Sequence, residues 1–242
     1  MRRKGWNFTW MMAPLLAVFL TGCCDDENVL GVREGGGGGP AAVPLGTAST
    51  FVVLGGSTVT NTGATAVTGD LGVSPGTAVT GFPPGTVSGA THAGDAAAAQ
   101  AQSDLTVAYN DAAGRTTGVV AVSGDLTGLT LAPGLYKSTS SLAITGALTL
   151  NALGDPNATF IIQMASTLTT GPGSQITLIG GAKSSNVIWQ VGTSATLGTN
   201  SLFQGTILAD QSITLNSGAQ LNGRALARIG AVTLDTNAIA AP

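Results

Sequence analysis

From residue 45 to the C-terminus, apolar and polar residues alternate with period two in short runs, each punctuated by Gly, Pro, Asn or Asp. That pattern predicts short, half-buried strands joined by tight turns. In the C-terminal half the runs repeat. Ser166-Thr167-Leu168-Thr169-Thr170 is followed by Ala195-Thr196-Leu197-Gly198-Thr199, then Ile213-Thr214-Leu215-Asn216-Ser217 and Val232-Thr233-Leu234-Asp235-Thr236. Thr196, Thr214 and Thr233 are 18 and 19 residues apart, and Thr167 precedes Thr196 by 29, which leaves space for a longer loop. A repeat near this length predicts a solenoid, in which each coil buries its core only against its neighbours. Each coil divides into three strands, as at 194–199, 201–205 and 206–209. The third strands are the most apolar: Phe160-Ile161-Ile162, Val187-Ile188-Trp189, Ile207-Leu208-Ala209 and Ala225-Leu226-Ala227. Apolar residues on both sides of a strand mean burial on both faces, so the outer side needs a cover.

One segment breaks the period-two pattern. Residues 93–113 are rich in alanine, the best helix former, and Ala97, Ala98, Ala101, Leu105, Ala108, Tyr109 and Ala112 recur at helical spacing. This helix is the expected cover, with Gly114 as its C-terminal stop. The fold class that follows is mainly β: an irregular three-faced β-solenoid with a single long α-helix packed along one face. Val67-Thr68-Gly69-Asp70-Leu71 and Val122-Ser123-Gly124-Asp125-Leu126 echo each other on either side of the helix.

In the first strand of each coil, Leu168, Leu197, Leu215 and Leu234 are expected to point inward, which turns their neighbours outward. Thr167, Thr196, Thr214 and Thr233 then form one outward file. Thr169, Gly198, Asn216 and Asp235 form a second, and Ala165, Ser194, Ser212 and Ala231 a third. By the same pattern the face extends to Thr58 and Thr60 around an inward Val59. Stacked coils lie about 4.8 Å apart, and outward residues along a strand about 6.7 Å apart. These spacings come close to repeats in the oxygen lattice of ice. A threonine there offers a hydroxyl that anchors a water, a methyl that discourages disordered hydration, and a stiff χ1. Threonine also simply suits exposed strands, and the ladder alone does not separate the two readings.

Composition sharpens the picture. Only 9% of the chain is charged, the net charge is −3, and no glutamate follows Glu34. Without a basic patch nucleic acid is not an expected partner. The chain contains 33 threonines, so hydroxyls rather than charges must cover the surface. Charges would hold water in ion-centred shells that match no lattice.

Residues 1–22 read as an export signal: Arg2, Arg3 and Lys4 precede an apolar run too short to span a bilayer comfortably. It ends in Leu20-Thr21-Gly22-Cys23, which resembles a bacterial lipobox; the alternative is an ordinary secretory signal with an incidental cysteine. An acylated Cys23 carries more than one chain, the condition for stable anchoring. The expected location is the cell envelope or cell surface, with secretion as the alternative. Cys23 and Cys24 are the only cysteines, so the domain has no internal disulfide and no thiolate metal site. Residues 23–44, with the run Gly35 to Gly39, are expected to be a flexible tether, and residues 45–242 one domain.

The whole domain resembles the widespread microbial ice-binding family built from an irregular β-solenoid with one long helix alongside. The resemblance is carried by Leu45-Gly46-Thr47-Ala48, Val67-Thr68-Gly69-Asp70-Leu71-Gly72-Val73-Ser74-Pro75 and Ala108-Tyr109-Asn110-Asp111-Ala112-Ala113-Gly114-Arg115. It continues through Leu129-Thr130-Leu131-Ala132-Pro133-Gly134-Leu135-Tyr136, Asn186-Val187-Ile188-Trp189-Gln190-Val191 and Leu221-Asn222-Gly223-Arg224. It implies ice binding through a flat face that the helix leaves uncovered, by a monomer without cofactor or metal. Asp235 departs from an ideal threonine array.

Two other functions compete with this one. Solenoid lyases and hydrolases need clustered carboxylates or a matched acid and base. Here His92 is the sole histidine, at the start of the helix, and Asp70 and Asp125 sit in Gly-Asp turns where aspartate serves the backbone. A carbohydrate-binding or adhesive module is the better alternative. Its usual aromatic platform would have to come from Trp189, Tyr109 and Tyr136, two of which fall in segments expected to be buried.

Overall fold

The computed structural model describes residues 29–30 and 39–242. Its strands stack parallel, coil on coil, and form one eight-stranded and one 16-stranded sheet among the described residues. The eight-stranded sheet is the first face of the solenoid. In spatial order its strands are Gly124–Asp125, Leu142–Ile144, Leu168–Thr170, Ala195–Leu197, Ile213–Leu215, Val232–Asp235, Thr58–Thr62 and Ala78–Thr80. The larger sheet carries the second and third faces. They merge because Leu202–Ala209 and Gln220–Ala227 each run through a corner as one continuous strand, where two separate strands were expected.

That corner is made by glycine. Gly205 and Gly223 are paired across adjacent coils with φ of 107° and 157°, and a Cβ on Gly205 would lie 2.7 Å from the Val187 carbonyl oxygen. Only a residue without a side chain lets stacked coils bend there and stay in contact.

The chain order differs from the spatial order. Residues 51–93 form coils at one end, the helix Ala96–Gly114 carries the chain back along the stack, and coiling restarts at Val119–Ala121 at the far end. The later coils return until Val232–Asp235 pairs with Thr58–Thr62, and Ala238–Ala240 with Ala66–Thr68. Asn237 stitches this closure. Its Nδ2 donates to the carbonyls of Asn216 and Ala219, while its own amide donates to Thr65 Oγ1.

Leu126, Leu142, Leu168, Leu197, Leu215, Leu234 and Val59 fill the interior with Phe160, Trp189, Phe203 and Ile207. The outer side of the third face is also apolar, as its sequence predicts. Leu54, Leu135, Ile161, Ile188, Leu208 and Leu226 lie under Ala101, Leu105, Ala108, Tyr109 and Ala112 of the helix. Each fully buried Leu or Ile there contributes roughly 1.5–3 kcal/mol, enough to override the weak amphipathicity of an alanine-rich helix.

Polar contacts set the helix ends. The helix begins three residues later than its composition indicates, because residues Thr91–Ala93 still form a strand and Asp95 is the N-cap. The Asp95 side chain accepts from the Ala98 amide at 2.9 Å, and its second oxygen meets His92 Nδ1 at 2.7 Å. At the other end the helix takes in Gly114, and buried Gln163 closes it from the sheet. Gln163 Nε2 donates to the carbonyls of Ala112 (2.6 Å) and Arg115 (2.9 Å), which have no further helical turn to bond. Nearby, Thr47 clamps Asp104 of the helix through both its amide and its hydroxyl, at 2.7 Å each.

Packed chain starts before Leu45. Val43 is buried, and Arg115, held by Asp111 at 2.6 Å, donates to the carbonyls of Ala41 and Ala42. Within the expected tether, Val29–Leu30 also pairs with Thr130–Leu131. The export signal, Cys23 and residues 31–38 lie outside the described residues.

Gln163→Ala should leave the last helical carbonyls buried without a donor, at a cost of about 1–3 kcal/mol. Calorimetry should show that loss of stability, together with faster amide exchange confined to the C-terminal turns of the helix.

Candidate functional site

Among the described residues nothing covers the first face, and its register sorts the outward side chains into three files. The central file reads Asp125, Ala143, Thr169, Thr196, Thr214, Thr233, Thr60 and Thr80. The register at Thr167 differs from the one its sequence predicts. Leu168 pairs with Ala195, not Leu197, so Thr169 stands in line with Thr196. Thr167 moves to the flanking file with Ser194, Ser212, Ala231 and Thr58, taking the place expected for Ala165. On the other flank, Asn216, Asp235 and Thr62 line up beyond the central file. Alternation alone could not reveal that Thr80 and Thr62 belong here, because the N-terminal coils join the face only through the closure with Val232–Asp235. Six successive threonines, from Thr169 to Thr80, therefore make one unbroken file.

The hydroxyls of this face divide into two kinds. In the flanking file Ser194 Oγ accepts from the Ser212 amide and Ser212 Oγ from the Ala231 amide, both at 3.3 Å. Thr167 donates to Ser141 at 2.8 Å. These groups tie coil to coil. In the central file, Thr169, Thr196, Thr214 and Thr80 have hydroxyls with no protein partner among the described residues, and Thr60 meets Thr233 only at 3.4 Å. Free hydroxyls thus stand in a row on a hydrogen-bonded sheet, about 4.8 Å apart. Inward Ala195, Leu197, Ile213, Leu215, Val232 and Leu234, all buried, hold the backbone of each strand in place. Thr170, one residue beyond Thr169, turns inward, and its hydroxyl accepts from the Gly198 amide at 2.8 Å.

Charge touches the face only at its margins. Asp125 closes the file at one end. Its Oδ1 accepts from the amide and hydroxyl of Thr127 (3.0 and 2.7 Å) and from the Thr145 amide (3.2 Å), and its Oδ2 from the Thr145 hydroxyl. Desolvation pushes this carboxyl up, but the hydrogen bonds from Thr145 and Thr127 outweigh it and hold the pKa down at about 2. Asp235 accepts from the Thr236 hydroxyl at 3.0 Å.

The second face is also uncovered but differently furnished. Thr130, Thr149 and Thr177 are in register, and then the file turns to Gln204 and Asn222. Those two amides bond each other at 2.9 Å, beside a shallow groove floored by Leu202, Ala238 and Ala240. Tyr136 and Trp189 are buried, so neither offers a platform for a sugar. Among the described residues no three His, Cys, Asp or Glu side chains come together to hold a metal ion.

Fold and face together define a helix-backed parallel β-solenoid with a flat hydroxyl array. Residues 53–240 match the sequence profile described as ice-binding-like, and the chain belongs to that family. It is 54% identical over 196 residues to an ice-binding protein of Nostoc sp. (strain HG1), covering 81% of this chain and 72% of the relative. A Colwellia sp. ice-binding protein is 38% identical over 222 residues, covering 84% and 85% of the two chains. Among solved structures, an ice-binding protein from an Antarctic biological consortium superposes with a TM-score of 0.84 at 55% identity, covering 87% of this chain and 96% of the other. One from the Antarctic ascomycete Antarctomyces psychrotrophicus gives 0.81 at 40% identity, covering 84% and 99%.

Because the folded pKa of Asp125 is depressed, its contribution is complete above the unfolded value near 4 and is lost as pH falls through about 2. Melting curves of the wild type and Asp125→Ala should therefore differ by a constant amount above pH 4 and converge between pH 4 and pH 2.

Proposed function

We propose that this protein binds ice through the first face, with the central file of Thr169, Thr196, Thr214, Thr233, Thr60 and Thr80 as the centre of contact. Thr58, Thr167, Ser194, Ser212, Ala231 and Asn216 form its flanks. The observation that carries the reading is the division of hydroxyls. The flanking hydroxyls of Thr167, Ser194 and Ser212 are spent on neighbouring coils, while in the central row those of Thr169, Thr196, Thr214 and Thr80 have no partner among the described residues, on a nearly uncharged plane. Membership in the ice-binding-like family supports the same reading. Each threonine presents its methyl and hydroxyl in a restricted set of rotamers, so little entropy remains to be lost when water orders along the row. Nothing in this scheme asks for bond making or breaking. Adsorption is the whole activity, and the protein acts as a non-catalytic monomer.

Contact of this kind depends on area and flatness, since each hydroxyl contributes little. Thr196→Tyr and Thr214→Tyr should each abolish most ice shaping in nanolitre droplets while circular dichroism stays unchanged. Thr214→Val keeps shape and methyl and should be milder. Tyrosine at Gln204 or Asn222 on the second face should have little effect. If the second-face variants lose activity and the first-face variants keep it, the contact lies on the other side of the solenoid.

We also propose that the chain is exported and anchored through acylated Cys23. The support is the basic start, the short apolar run and the Leu20-Thr21-Gly22-Cys23 motif. Cys23→Ser should abolish metabolic incorporation of a fatty-acid analogue. Unchanged label on that variant would rule out the anchor.

A further inference from the structure

Among the described residues the coil containing Val119–Ala121, Gly124–Asp125 and Thr130–Leu131 ends the solenoid, and no further described coil bonds its outer backbone edge. Open edges of this kind invite pairing with any extended chain, and solenoids need them closed. Of the three strands in this coil, Thr130–Leu131 alone has a second neighbour among the described residues: Val29–Leu30, parallel, with Val29 opposite Thr130 and Leu30 opposite Leu131. A separate observation brings the following chain to the same place. A Cβ on Gly39 would sit 3.1 Å from the Gly134 amide nitrogen and 3.2 Å from Pro133 Cβ. Leu30 and Gly39 therefore flank one four-residue corner, 131–134. Arg115 grips the carbonyls of Ala41 and Ala42 just beyond it. With Gly39 pinned, Val29–Leu30 is close to it along the chain and meets the edge at high effective concentration.

We infer that the edge at Thr130–Leu131 is a strand-docking site whose occupant is the chain's own Val29–Leu30, and that the docked strand fixes where the N-terminal leader departs. The docked strand sits on the terminal coil, so the leader departs from that end of the stack. On the separate reading that Cys23 is acylated, six residue steps set an upper limit of about 20 Å between the anchor and Val29. That coil is then the membrane-proximal end of the solenoid, where a free 22-residue tether would impose no orientation.

The test is hydrogen–deuterium exchange of the full chain, which needs neither lipid nor ice, so its failure is separate from failure of either reading. Thr149 donates to the Leu129 carbonyl, so Leu129 and Leu131 face the neighbouring coil and Thr130 presents its amide to Val29–Leu30. The Thr130 amide should be protected in the wild type and in Val29→Ala/Leu30→Ala, which keeps both backbone donors. In Val29→Pro/Leu30→Pro it should exchange at least tenfold faster while Leu131 stays protected. Equal Thr130 exchange in all three chains would overturn the inference.

Discussion

Coil-to-coil pairing in exact parallel register is the constraint on which the rest of this molecule depends. It aligns Leu197 with Leu215 and Leu234 inside and Thr196 with Thr214 and Thr233 outside. The same ladder brings Thr60 and Thr80, distant in sequence, onto the end of the row. Without disulfides the stack must be held by backbone hydrogen bonds and apolar burial, both of which act only between neighbouring coils. The helix strengthens this locally linked array, since it touches strands from Phe51–Gly55 to Phe160–Met164 and ties distant coils to one rigid element.

Much of this was legible in the chain. The 18- and 19-residue spacing of Thr196, Thr214 and Thr233 specifies the coils, and the doubly apolar third strands specify a cover. The misplacement of Thr167 shows where period-two reasoning ends. Sliding a strand by two residues preserves which side chains point in and which point out, so alternation fixes parity but not register. In this coil Thr170 occupies an inward position that neighbouring coils fill with Ile144, Leu215 and Leu234, and its buried hydroxyl bonds the Gly198 amide. A buried threonine of that kind reads in the sequence like a surface one.

Composition failed for a different reason at the N-terminal margin. Residues 39–44 are small and weakly apolar, which is the signature of a tether, yet Val43 is buried and Arg115 holds the preceding carbonyls. The energy that orders them belongs to the helix terminus and the sheet edge, more than 70 residues away, and leaves no trace in the local sequence. The junction of the first and last coils was hidden for the same reason. Its stitch, Asn237 with Thr65, joins residues 172 apart, a separation that gives no periodic signal.

An irregular solenoid meets two demands on its hydroxyls that a perfectly regular threonine ladder would place in conflict. Stacked coils need side chains that bond each other, and an ice-binding plane needs side chains that do not. Here the demands are separated by position. Serine, whose small side chain reaches the next backbone amide, occupies the flanking file at Ser194 and Ser212. Threonine, whose branched Cβ keeps its hydroxyl directed outward, occupies the centre. Asp125 performs the same service at the end of the file, absorbing the donors of Thr127 and Thr145 where the stack stops and order among the hydroxyls would otherwise fade. The threonine row from Thr169 to Thr80 therefore carries no charge, and its one internal bond is the long contact between Thr60 and Thr233. On the proposed reading, that row is where an adsorbed lattice gains most from contact and where a single bulky side chain does most harm.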